Sequence, residues 1–191
     1  MHTQTQHTQT KSLVWSGYAV FIWSIVYMLP HLYWALGGTI GEGLLKPDIV
    51  QHIHFDLING IASVFLTVAG IIGLAFIYWS KGRFSSYLWL FIAWAGCSLA
   101  ASHGIYGIVY RILQISGVVG LESGSFDIHE DAFVLWDLVL FEPWFLIEGI
   151  LFGLLGYCFL KNARSRKFWL AACMIGIIVG LVTGIMGVRF A

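Results

Sequence analysis

The stretch IHFDLINGIASVFLTVAGIIGLAFIYW, residues 53–79, holds one carboxylate, Asp56, and apart from His54 and Asn59 is otherwise apolar or weakly polar. A hydrocarbon core of roughly 30 Å needs about 20 helical residues to cross it, so this run is long enough to span a bilayer. Four more runs behave the same way, at about 13–36, 87–115, 132–160 and 168–188. The whole chain carries the same signature: 59% hydrophobic, 10% charged and a mean hydropathy of +0.82, far more apolar than a soluble domain. The reading is an all-α integral membrane protein, an antiparallel bundle of five transmembrane helices.

Residues 1–12 are expected to be a disordered cytoplasmic tail, because HTQTQHTQT has nothing apolar to bury, and residues 13–191 a single transmembrane domain. The first run is read as a helix and not as a cleaved signal, since it is too long and ends without a small-x-small site. Charge supplies an orientation. Lys11, Lys81, Arg83, Lys161, Arg164, Arg166 and Lys167 flank one side of a five-span topology, whereas Lys46 and Arg189 lie on the other. The positive-inside rule then places the N-terminus inside and the C-terminus outside. All ten carboxylates fall in outer loops or within spans.

Ionisable groups within a span cost about 2.5–3.5 kcal/mol at mid-bilayer on insertion scales, so they normally face the bundle interior or water. Here they are numerous: His31, Asp56, His103, Arg111, Asp137, Glu142 and Glu148, with His52 and His54 at the mouth of the second span. At about 100° per residue, His52, Asp56, Asn59 and Ser63 form one stripe. The same arithmetic aligns Tyr27, His31 and Trp34 on the first span and His103, Tyr106 and Tyr110 on the third. On the fourth it aligns Asp137, Trp144 and Glu148 and turns Glu142 about 140° away from Asp137. The 1.5 Å rise puts His31, Asp56, Arg111 and Asp137 roughly 5–10 Å below the outer surface, and His103 and Glu142 roughly 15 Å below it.

The expected site is therefore an outward-facing pocket between the first four spans. Its candidate ligand-binding residues are His31, Trp34, His54, Asp56, His103, Arg111, Asp137, Glu142 and Trp144, taking a small polar or cationic ligand. Pairing Arg111 with Asp56 or Asp137, and His103 with Glu142, is the competing use, in which the charges only fix helix register. Glu148 has no basic partner in the sequence reading and is expected to be protonated, to bond a backbone or hydroxyl group, or, with Glu142, to form a proton path. Pro30 and Pro143 cannot donate to the carbonyls of Val26 and Val139, so each is expected to kink its helix and free an acceptor.

Other patterns point away from chemistry. Cys97, Cys158 and Cys173 lie within spans without metal-ligand spacing and read as small apolar residues. His129, Glu130 and Asp131 read as a solvated loop with Asp131 as a helix N-cap rather than as a metal entrance. No nucleophile elbow, HExxH motif or phosphate-binding glycine loop is present, so catalytic residues are not assigned and an enzyme is not favoured. A metal site and a cofactor stay unassigned. Gly149 and Gly153, and Gly176, Gly180 and Gly184 at four-residue spacing, offer close helix contact, within the chain or in a homo-oligomer. The expected partners are the lipid bilayer and a small polar ligand, with no nucleic acid. The alternative functions are a small proton-coupled transporter and a haem- or metal-dependent membrane redox protein or enzyme.

The segments HLYWALGG, residues 31–38, and FEPWF, residues 141–145, resemble a family of small bacterial multi-pass membrane proteins known as a domain of unknown function. That resemblance implies a four-helix membrane bundle in a bacterial cell (inner) membrane and singles out His31, Trp34, Gly37, Gly38, Glu142, Pro143 and Trp144. The chain departs from the pattern at Glu148, where a small residue is expected, and by its fifth helix.

Overall fold

The computed structural model describes residues 2–41, 54–79, 83–118 and 128–186, with side chains described from Lys11, Phe55's neighbour His54, Ser86 and Ala132 onward in each segment. His52, Lys46, Lys81, Arg189, the segments 42–53 and 119–127, and the side chains of His129, Glu130 and Asp131 lie outside that description. The elements are α1 (His2–Ala35), α2 (Phe55–Tyr78), α3 (Arg83–Ile115), α4 (Ile128–Trp136), one wide turn of helix at Asp137–Phe141, α5 (Glu142–Phe159) and α6 (Ala163–Ile185). Among the described residues there is no strand. Five segments are long and apolar enough to cross a membrane: Lys11–Ala35, Phe55–Tyr78, Ser86–Ile115, Ala132–Phe159 and Ala163–Ile185.

Only 17% to 33% of each apolar window is buried within the chain, so most of its Leu, Ile, Val and Phe side chains face outward. Water would penalise such a surface; a bilayer is the solvent that fits it. The chain is a multi-pass membrane protein by this criterion.

Two boundaries differ from the sequence reading. The helix of α1 continues back to His2 through the polar segment read as a tail, an extension that adds one backbone bond per residue to a helix already nucleated by its apolar part. The last helix starts at Ala163 rather than at 168, because the Asn162 side chain accepts a hydrogen bond from the Arg164 N–H at 2.8 Å and caps it. Arg166 then reaches back to the Leu160 carbonyl at 2.9 Å, so the basic cluster forms the first turns of α6. Asp131, read as an N-cap, lies inside α4.

Helix ends at the other side are set by glycine. Gly37, at φ 84°, donates to the Trp34 carbonyl at 3.0 Å while Gly38 donates to Tyr33 at 3.0 Å, which closes α1 with a left-handed cap. Gly117, at φ 74°, closes α3 the same way, with Val118 donating to Leu113.

Packing follows small residues. Gly17 and Gly73 bring the backbones of α1 and α2 together: a Cβ on either would lie 2.6 Å from the other's carbonyl oxygen. On α3, Gly96, Cys97, Ala101, Gly104 and Gly107 meet Phe152, Gly153, Gly149, Leu146 and Glu142 in turn, so α3 and α5 run in opposite senses along one seam. Gly176, Gly180 and Gly184 seat α6 on Ser98, Ser102 and Tyr106 of α3, the use of that stripe within the chain. Trp94 and Trp169 lock α6 further, donating to the Ala172 and Gly153 carbonyls at 2.8 Å each. Val20, Phe76, Ala93, Cys97, Phe152, Leu155, Trp169 and Cys173 form the core, all three cysteines being free thiols.

Candidate functional site

Pro143 decides the geometry of the fourth span. It has no N–H for the Val139 carbonyl, and its ring would crowd that carbonyl in a regular helix. The chain relieves this with the wide turn at Asp137–Phe141, where the Glu142 N–H bonds to the Asp137 carbonyl five residues back. The extra residue corrects the phasing read from the sequence. Asp137 and Glu142, expected about 140° apart on a regular helix, both become buried and both meet α3 one turn apart, at Arg111 and Gly107.

Arg111 resolves its two expected partners in favour of Asp137, with Nε to Oδ2 at 2.5 Å. Its Nη1 donates to Gln114 at 2.8 Å, and its guanidinium lies 5.0 Å from the Phe133 ring and 5.6 Å from the Tyr110 ring. This cluster ties α3 to the start of the fourth span. Asp56 and His54, expected beside it, are exposed at the start of α2 and do not join it. Asn59 and Ser63 of the same stripe are buried. The polar face of α2 thus turns inward only where the helix lies against α1.

His31 is held by Asn59. The Asn59 amide nitrogen donates to the Phe55 carbonyl at 2.8 Å, which turns its oxygen toward His31 Nδ1 at 2.8 Å, so Nδ1 carries the proton. Trp34 is spent on the loop: its indole donates to the Ile40 carbonyl at 2.9 Å, with its ring edge-on to His31. Trp144 stacks on Trp23 at 4.1 Å and on Tyr27 at 5.0 Å, while the Trp23 indole donates to the Trp144 carbonyl at 3.1 Å. The two tryptophans expected as pocket walls therefore build the frame behind the site, not its surface.

A cavity of about 750 Å³ lies between α2, α3 and α5 and reaches α1 and α6. Tyr27, His31, His103, Arg111, Glu142 and Glu148 border it, and the rest of its wall is mostly apolar. The Ser24 hydroxyl lies 2.8 Å from Glu148 Oε1 and 2.9 Å from the Val20 carbonyl, so its one proton is shared between two acceptors, and the first is the hydroxyl contact expected for Glu148. Glu142 is different. Its Oε2 stands 3.7 Å from His103 Nε2, within ion-pair reach but too long for a hydrogen bond. That oxygen and the Trp144 indole nitrogen are fully buried without a hydrogen-bond partner among the described residues. Gly107 makes room for the carboxylate, since a Cβ there would overlap the Glu142 carboxyl group.

Among the described residues no cluster of three or more His, Cys, Asp or Glu side chains could hold a metal ion. Several participants escaped the sequence reading, among them Trp23, Gln114, Phe133, Ser24, Gly104 and Gly107. Ser24 lies three and seven residues before Tyr27 and His31, so it shares their face and was findable; Gly104 and Gly107 continue the small-residue spacing from Gly96 and Ala100.

No curated protein and no solved structure matches the chain. A family described as "Protein of unknown function (DUF3995)" matches residues 24–152, from Ser24 through the first four spans to Phe152, leaving α6 outside the match. Both HLYWALGG and FEPWF fall inside that region, as do Ser24, Glu142 and Glu148. With about two thirds of its length so matched, the chain belongs to this family of unknown function.

Proposed function

We propose that this protein is a non-catalytic binding protein of the bacterial cell membrane, with its N-terminus inside and its C-terminus outside. Its intramembrane cavity takes a ligand with an amine or other cationic, hydrogen-bond-donating end, which sits at Glu142 beside His103. The observation that carries this reading is Glu142, which borders the cavity and whose buried Oε2 has no hydrogen-bond donor among the described residues, His103 Nε2 standing 3.7 Å away. A buried acceptor left without a donor costs about 1–3 kcal/mol, and a ligand N–H placed there recovers that cost. Gly107 supports the same reading, because it keeps open the space that the carboxylate occupies. The one-sided distribution of Lys and Arg supports the orientation.

The test is equilibrium binding of radiolabelled octylammonium to the protein in nanodiscs, with octanol and octanoate as competitors. Octylammonium should bind saturably, octanoate should not compete, and Glu142→Gln should weaken binding about 10- to 100-fold, the worth of one charge-assisted hydrogen bond. Equal binding to wild type and Glu142→Gln would overturn the reading.

A further inference from the structure

We infer that the ligand is a membrane-dissolved amphiphile, which enters sideways from the lipid through the gap between α2 and α3 and lays its apolar body along that gap. The inference rests on the reading of Glu142 as the polar anchor. Although α2 and α3 are consecutive in the chain, their described residues hardly touch: α2 packs on α1, and α3 packs on α5 and α6. The cavity occupies the space between them.

Its wall contains residues that also form the lipid-facing surface. Phe65 on α2 is 72% exposed and Leu99 on α3 is 54% exposed, and both line the cavity. Ala62, Ala69 and Ala100 line it too, and their small side chains keep the gap wide. The cavity therefore joins exposed apolar residues of α2 and α3 to the wall that holds Glu142. A fully hydrated solute gains nothing along such a path, because apolar walls cannot replace its water. An alkyl chain does, and its polar head then meets the groups at the inner wall: Glu142 and His103, with Glu148 and Tyr27 beside them. A volume of about 750 Å³ suits a chain-bearing molecule rather than an inorganic ion. One head chemistry, a primary ammonium on an alkyl body, is shared by aminophospholipids such as phosphatidylethanolamine and by free long-chain amines.

The test uses a dodecylammonium probe with a mid-chain diazirine, dissolved in nanodisc lipid, followed by irradiation and peptide mapping. Labelling at Phe65, Val68, Leu99 and Ala100 should exceed that at Ile175, an outward-facing α6 residue, by about tenfold, a preference worth about 1.4 kcal/mol. Ala69→Trp and Ala100→Trp, which fill the gap, should slow octylammonium association. If either variant fails to fold, the wild-type labelling pattern alone decides. Nanodiscs with and without phosphatidylethanolamine separate the sources: competition by that lipid names a bilayer phospholipid, and its absence a free amine. Labelling no greater at the gap than at Ile175, with binding still lost in Glu142→Gln, would overturn lateral admission and leave the anchor standing. Binding that survives Glu142→Gln would instead remove the anchor.

Discussion

Replacing Asp137 with alanine should leave the Arg111 guanidinium with Gln114 and two rings as its remaining partners. Breaking a buried ion pair from one side typically costs about 3–5 kcal/mol. Arg111 and Asp137 have side chains 15% and 11% exposed, close to one end of their helices, which favours the lower part of that range. The Gln114 bond and the Tyr110 and Phe133 faces retain some stabilisation, each ring contact being worth about 0.5–2 kcal/mol. The expected loss is therefore about 3 kcal/mol. Removing both charges, as Arg111→Met with Asp137→Leu, should return stability to within about 1 kcal/mol of wild type, since no uncompensated charge remains. The assay is reversible unfolding by dodecyl sulfate in lipid bicelles, followed by far-ultraviolet circular dichroism. A loss under about 1 kcal/mol for Asp137→Ala, or a double variant as unstable as the sum of the singles, would refute this account of the pair.

The two glycines beneath the fourth span should separate stability from binding. A Cβ at Gly104 would lie 2.6 Å from the Glu142 carbonyl oxygen and the Leu146 nitrogen, both backbone, so Gly104→Ala should force α3 from α5 and lower the unfolding midpoint sharply. At Gly107 the obstruction is the end of the Glu142 side chain, which can swing away; Gly107→Ala should fold but lose octylammonium binding. The same midpoint for both variants would contradict the seam. Ser24→Ala should cost about 1–3 kcal/mol by removing the donor to Glu148, and Ser24→Ala with Glu148→Leu should recover most of it. Unfolding curves of the three proteins check this, and a double variant no better than Ser24→Ala would refute the pairing.

The spans were legible because hydropathy over 20 residues depends little on tertiary detail. Phasing was not equally legible. Pro143 announced an interruption, but whether the helix would kink or admit an extra residue depends on what α3 offers opposite, and Gly107 with Arg111 favours bringing both carboxylates to one side. Asp56 was placed inward because a stripe that is buried at Asn59 and Ser63 was extrapolated to the very start of α2, where Asp56, like His54 at the mouth of the span, is exposed. Trp34 was read as a pocket wall, although its indole was needed by a loop carbonyl six residues on. A pocket among the first four spans was expected, but that it would lie between α2 and α3 was not legible, since those consecutive helices choose other partners.

Everything functional turns on whether a molecule occupies the space at Glu142. Native mass spectrometry of the protein released gently from its own membrane asks this directly. The account predicts an amine-bearing amphiphile retained on the wild-type chain and lost from Glu142→Gln. An adduct of the same mass and occupancy on both proteins, or none on either, would contradict it.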